Sequence, residues 1–220
     1  MAVFSPPPLT TAVKNALLTL AGSEVASESV AYLIVPDAVH TLWLRDWHTE
    51  FPKSVIVGPH GATDKYPSLP FAMTFPTRET DSGAEKDASL AAFHSEFDVA
   101  YFGSHADEIV LLHRPSKTIM VADLIFNPPP TQSFSLSPES ADGGLLTYLF
   151  ACTRGLEGAP LERQRKTINL IAGSGNAKLQ FGESARAVLK WDFDRIILCH
   201  GDVIERGGKS QWEALFKNLL

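Results

Sequence analysis

Residues 97–123 read FDVAYFGSHADEIVLLHRPSKTIMVAD. Three short apolar runs stand in this stretch: Val99 to Phe102, Glu108 to His113 and Thr118 to Ala122. Gly103-Ser104 cut the first. The second and third lie on either side of Arg114-Pro115-Ser116-Lys117, the spacing of a β-hairpin. A fourth run, Arg195 to Cys199 (RIILC), ends on His200. Upstream, Ser29 to Val35 (SVAYLIV) is closed by Pro36, and Ser54 to Val57 (SVIV) by Gly58-Pro59. Runs this short and this rich in branched apolar residues read as strands buried on both faces. Helical patterns lie between them. From Thr10 or Thr11 to Ala21, Val13, Ala16, Leu17 and Leu20 share one face, and Gly22 stops the run. Further helices are expected at 40–50, 89–97, 144–152, 161–171, 180–190 and 211–219. Residues 60–88 read as a polar loop with some local structure. Residues 127–143, rich in Pro and Ser, read as a long connection that can serve as a lid. Strands alternating with helices, a central hairpin and a closing helix–strand–helix make an α/β fold with strands between helical layers.

The chain has 220 residues, 45% of them apolar and 20% charged. That suits a single domain, or one two-layered unit with internal pseudo-symmetry. The net charge of −6 comes without a basic run or stripe, which argues against nucleic acid as a partner and favours holding a cation. Two cysteines, Cys152 and Cys199, make no disulfide framework. Met1 to Pro8 has no charged segment followed by an apolar core, and no apolar stretch approaches the roughly 20 residues of a membrane span. A cytoplasmic protein with no membrane partner is expected.

Four residues share one context. His40 follows the strand ending at Val35, His105 the one ending at Phe102, Asp123 the one ending at Ala122, and His200 the one ending at Cys199. Strand ends in an α/β sheet gather at one edge, where ligands usually bind. Three imidazoles and a carboxylate there suit zinc, iron or manganese. Each also has a plainer reading: a loop histidine, or for Asp123 a turn or cap residue. His60 sits in a loop that can reach the same edge. His48 and His94 fall on helices, and His113 lies at the far end of its strand. Gly173-Ser174-Gly175-Asn176-Ala177 lacks the Gly-Lys-Ser/Thr of a phosphate loop. Cys199 and His200 make no dyad, because neighbouring strand residues point to opposite faces.

These residues carry a resemblance. The chain resembles the metallo-β-lactamase-like superfamily, and within it the DUF4336-type branch. Phe4-Ser5-Pro6-Pro7-Pro8-Leu9 is similar to the branch's opening segment, and Val35 to Leu42 to its Pro-Asn-x-x-His-His-Leu motif. Gly103-Ser104-His105 and Val121-Ala122-Asp123 resemble the superfamily's Gly-His and Gly-Asp section, and Asp192 to Gly201 its last metal-histidine strand. The resemblance implies an αββα sandwich over residues 1–220, trimmed at its N-terminal hairpin. The trimmed edge makes a homodimer an expectation. The superfamily's first ligand motif falls on Val35, Asp37, Val39 and His40, so only its final histidine is kept. One metal is therefore implied, held by His40, Asp123 and His200 with His105 close by: zinc first, with iron or manganese as alternatives. Val39 replaces the aspartate that orients the attacking water, so Asp37 would take that catalytic role or the activity is altered. The implied activity is hydrolysis of a small ester, lactone, thioester or amide. The alternatives are an iron or manganese redox or lyase enzyme on the same site, or a binding protein without catalysis.

Overall fold

The structure, a computed structural model, describes residues 1–22, 28–76, 88–141 and 143–220. It divides into two compact units, Met1–Ser95 and Glu96–Leu220, each with its own sheet and core.

The first unit is a βα alternation. Strand β1 (Ala2–Phe4) leads to α1 (Thr11–Ala21), β2 (Tyr32–Ile34), α2 (Leu44–Glu50), β3 (Val55–Pro59), α3 (His60–Lys65), β4 (Phe71–Phe75) and α4 (Ala88–Glu96). The four strands pair in sequence order, all parallel. Local chemistry sets the ends of α1. The Thr10 hydroxyl accepts the Val13 N–H at 3.3 Å, and Gly22 takes the left-handed conformation at φ 67°. The core gathers Leu17, Leu33, Val35, Leu44, Trp47, Phe51 and Ile56. Trp47 keeps its indole N–H satisfied by donating to the Pro7 carbonyl at 2.5 Å. That bond ties the proline lead-in to α2.

The second unit opens with a meander. Strands β5 (Phe97–Phe102), β6 (Glu108–His113) and β7 (Thr118–Val121) run antiparallel in turn, and β8 (Arg195–Leu198) joins β7 in parallel. A parallel neighbour needs a crossover. The stretch between β7 and β8 carries α5 (Leu145–Thr153), α6 (Gly158–Ile171) and α7 (Gly175–Leu189), and α8 (Gly208–Phe216) follows β8. The core centres on Phe102, Phe181, Trp212 and Phe216, packed with Val110, Ile119, Val121 and Ile196. Trp212 and Phe216, one helical turn apart on α8, stack at 4.2 Å.

The α/β class, the hairpin and the helices of the second half match the sequence reading. Four elements differ. The 60–88 loop contains α3 and β4; its residues 77–87 lie outside the described residues. β4 is half-buried along its whole length and bounded by Pro70 and Pro76, so it lacks a buried apolar run. The helix expected from His40 begins at Leu44, because the Asp37 carboxylate takes the Val39 and His40 N–H groups and holds the chain in turns. Ala2–Phe4 forms a strand that the sequence reading did not contain.

Candidate metal centre

Asp123 and His200 come from the ends of adjacent parallel strands. Val121 of β7 sits beside Leu198 of β8, and the Cys199 N–H donates to the Val121 carbonyl at 3.2 Å. Two residues further along each strand, Asp123 Oδ1 and His200 Nε2 lie 3.2 Å apart. The step of two keeps both on one side of the sheet edge. Their side chains are 43% and 48% exposed, while the Asp123 Oδ1 atom that faces His200 is buried.

Each member is fixed from behind. Glu108, at the start of β6, is 1% exposed. One of its carboxylate oxygens accepts the Ala122 N–H at 2.7 Å and the other the Asp123 N–H at 2.9 Å. A buried carboxylate with two N–H donors is well satisfied, and it sets the backbone from which Asp123 projects. His200 stacks on Phe126 at 5.4 Å, nearly parallel. Its carbonyl accepts the Asn127 N–H at 3.1 Å. Gly201 then passes so close to Asn127 that a Cβ would lie 2.3 Å from the Asn127 oxygen, and its φ is 121°. Only glycine fits there. The Asp202 carboxylate accepts the Gln132 N–H at 2.8 Å and the Thr131 hydroxyl, which anchors the start of the 127–143 segment to the strand end.

In the first unit, His40 is 14% exposed at its side chain and Asp37 5%. One oxygen of Asp37 accepts the Val39 and His40 N–H groups, both at 2.7 Å, and the other lies 2.8 Å from His40 Nδ1. Both oxygens of Asp37 are thus engaged with its own loop. In this geometry Asp37 orients His40. A carboxylate on one imidazole nitrogen is the usual backing of a metal-ligating histidine.

His105 does not join Asp123 and His200. No third His, Cys, Asp or Glu of the second unit, among the described residues, brings a ligand atom within 4.8 Å of both. β6 lies between β5 and β7, so the strand that delivers His105 is about 10 Å from β7. His105 is exposed on a loop whose Ser104 and Asp107 adopt φ of 62° and 41°. His60 is engaged elsewhere, its Nε2 lying 2.7 Å from the Pro76 carbonyl oxygen. His113 lies at the far end of β6 with its Nδ1 2.7 Å from the Ser116 hydroxyl, His94 is exposed, and His48 is half-buried. Glu108 is the functional residue the sequence reading missed. Its signal was an acid opening an otherwise apolar strand, since a carboxylate is rarely buried without partners.

No protein-family model matches the chain, and no curated protein is similar to it in sequence. Solved structures are. Rubredoxin oxygen:oxidoreductase from Desulfovibrio gigas matches 99% of this chain with a TM-score of 0.57 at 11% identity, over 50% of its own length. A metal-soaked flavodiiron core from Synechocystis sp. matches 99% with a TM-score of 0.51 at 12% identity, over 49% of its length. A metallo-β-lactamase exposed to ceftazidime is matched over 80% of its length at 12% identity and a TM-score of 0.49. The chain thus spans about half the length of the first two structures. At such identities the likeness speaks for the fold alone. Among the described residues, no helix is long and apolar enough to cross a membrane. The architecture is mixed α/β with two sheets, and it matches the metallo-β-lactamase fold.

Proposed function

We propose that the chain is a metal-dependent hydrolase of a small ester, lactone, thioester or amide, with one divalent cation held by Asp123 and His200 and with His40 as the further ligand that the sequence resemblance implies. The observation that carries this reading is the Asp123–His200 pair, 3.2 Å apart at neighbouring strand ends and backed by a buried carboxylate on one side and an aromatic ring on the other. His40 suits that role in its own loop, where its Nδ1 lies 2.8 Å from an Asp37 carboxylate oxygen, the usual backing of a metal-ligating histidine. Two imidazoles and one carboxylate suit zinc first, with iron or manganese also accommodated. Such a cation lowers the pKa of a coordinated water toward neutrality and polarises a carbonyl. The chain's own part is orientation: Asp37 fixes the His40 ring, Glu108 fixes the Asp123 backbone, and Phe126 fixes the plane of His200. The Pro36 to Leu42 motif also supports placing the chain in the DUF4336-type branch.

Metal content, measured on protein purified without a chelator or a metal-affinity tag, tests the reading. About one equivalent, lost in His200→Ala together with hydrolysis of a p-nitrophenyl ester, is expected. Full metal retained in His200→Ala would overturn the ligand set. Bound iron with oxygen-dependent turnover would move the reading to a redox enzyme, and metal-free protein would move it to a binding role.

A further inference from the structure

Beside His200 the second unit holds a cavity of about 530 Å³, within the usual size range of small-molecule sites. Its walls come from the 127–143 segment (Pro130, Ser133, Phe134), from α5 (Thr147, Phe150) and from His200. No Asp, Glu, Lys or Arg lines it among the described residues. The ring of Phe150 meets Phe126 edge-on at 5.3 Å, and Phe126 in turn stacks on His200. The apolar wall and the candidate ligand are therefore parts of one aromatic stack. The proline segment is held in place by the bonds from Thr131 and Gln132 to Asp202.

We infer that this cavity is the acyl pocket of the enzyme and that its substrates carry an uncharged, apolar acyl chain or ring. The inference rests on the hydrolase reading. A charged acyl group would lose its hydration there against walls that offer no Asp, Glu, Lys or Arg side chain to pair with it. Each buried methylene instead favours binding by about fourfold. The hydroxyls of Ser133 and Thr147 join His200 and the Cys199 thiol as the polar side-chain groups of these walls, able to meet a carbonyl or a hydroxyl at the chain's head.

The test uses zinc-loaded protein and p-nitrophenyl esters of acetate, butanoate, hexanoate, octanoate and succinate, with heptan-1-ol and heptylammonium as non-reacting probes followed by ligand-observed NMR. The kcat/KM is expected to climb by up to about fourfold per methylene until the cavity is full, and the succinate ester to fall below butanoate. Heptanol should bind and heptylammonium should not. Thr147→Arg should abolish heptanol binding and flatten the series, and Phe134→Ser should weaken both, which guards against one variant misfolding. Ester turnover without a chain-length trend overturns the pocket and leaves the hydrolase standing. No turnover of any ester, with heptanol bound and lost in Thr147→Arg, sinks the hydrolase reading and keeps the preference for uncharged chains. No heptanol binding in the wild type overturns the pocket outright.

Discussion

Replacing Glu108 probes how far the proposed metal centre depends on a residue that holds the Asp123 backbone without being a ligand itself. Its carboxylate is buried and accepts two backbone N–H groups, from Ala122 and Asp123. Hydrogen bonds to a charged partner contribute about 1.5–3 kcal/mol each, and a buried donor left without one costs about 1–3 kcal/mol. In Glu108→Gln the amide oxygen keeps one N–H, and the amide NH₂ is turned toward the other, donor against donor. A loss of about 3 kcal/mol follows for Gln and somewhat more for Ala, which also leaves a cavity. For a chain of this size that is a fall in Tm of about 6–12 °C. Stability alone would not separate a positioning role from a structural one. Zinc affinity would, because loss of an outer partner of a ligand typically costs 10–100-fold. Zinc titration calorimetry at pH 7 on the wild type, Glu108→Gln and Leu215→Ala makes the comparison. Leu215 is 1% exposed on α8, in the core rather than beside Asp123, and its truncation costs about 2–5 kcal/mol. Glu108→Gln should weaken zinc by 10–100-fold while Leu215→Ala keeps the wild-type affinity. If Glu108→Gln lowered Tm and bound zinc as tightly as the wild type, Glu108 would be structural only. If Tm did not move, the two hydrogen bonds would carry no net stability.

Two more outcomes follow from the geometry. Gly201→Ala sets a Cβ against the Asn127 backbone at a φ of 121°, so the strand end must shift; a loss above about 2 kcal/mol in urea unfolding is expected, with zinc binding weakened, and an unchanged midpoint would refute the close approach. The Tyr101 phenol donates to Asp107 at 2.8 Å, and burial first, then Asp107, raises its pKa above the usual value of about 10. The folded state thus holds that proton more tightly than the unfolded chain. The associated stability is complete below about pH 10 and is lost as pH rises beyond it. Tyr101→Phe should remove that part of the alkaline decline in a urea-midpoint profile, and an identical decline in both proteins would count against the assignment.

What the sequence disclosed and what it hid have a common physical origin. Ile-, Val- and Leu-rich runs announce their own burial, so β6, β7 and β8 were legible with their hairpin. β4 was hidden because Phe71-Ala-Met-Thr-Phe75 is half-buried throughout and shows no apolar face. α3 was hidden because six residues containing Gly61 and Thr63 carry little helix propensity. The strand-end argument for a metal site treats every strand end as equivalent, and the sheet does not. Asp123 and His200 meet because β7 and β8 are neighbours, parallel and in register. His105 obeys the same rule at the same edge and fails, because sheet order puts β6 between its strand and theirs. Glu108 gains its role from that same order. β6 is the strand that separates His105 from the pair, and its first residue lies where the β7 end must be held. A residue type and its distance from a strand end can therefore nominate a ligand, but strand adjacency decides which nominees meet and which strand supplies the support behind them.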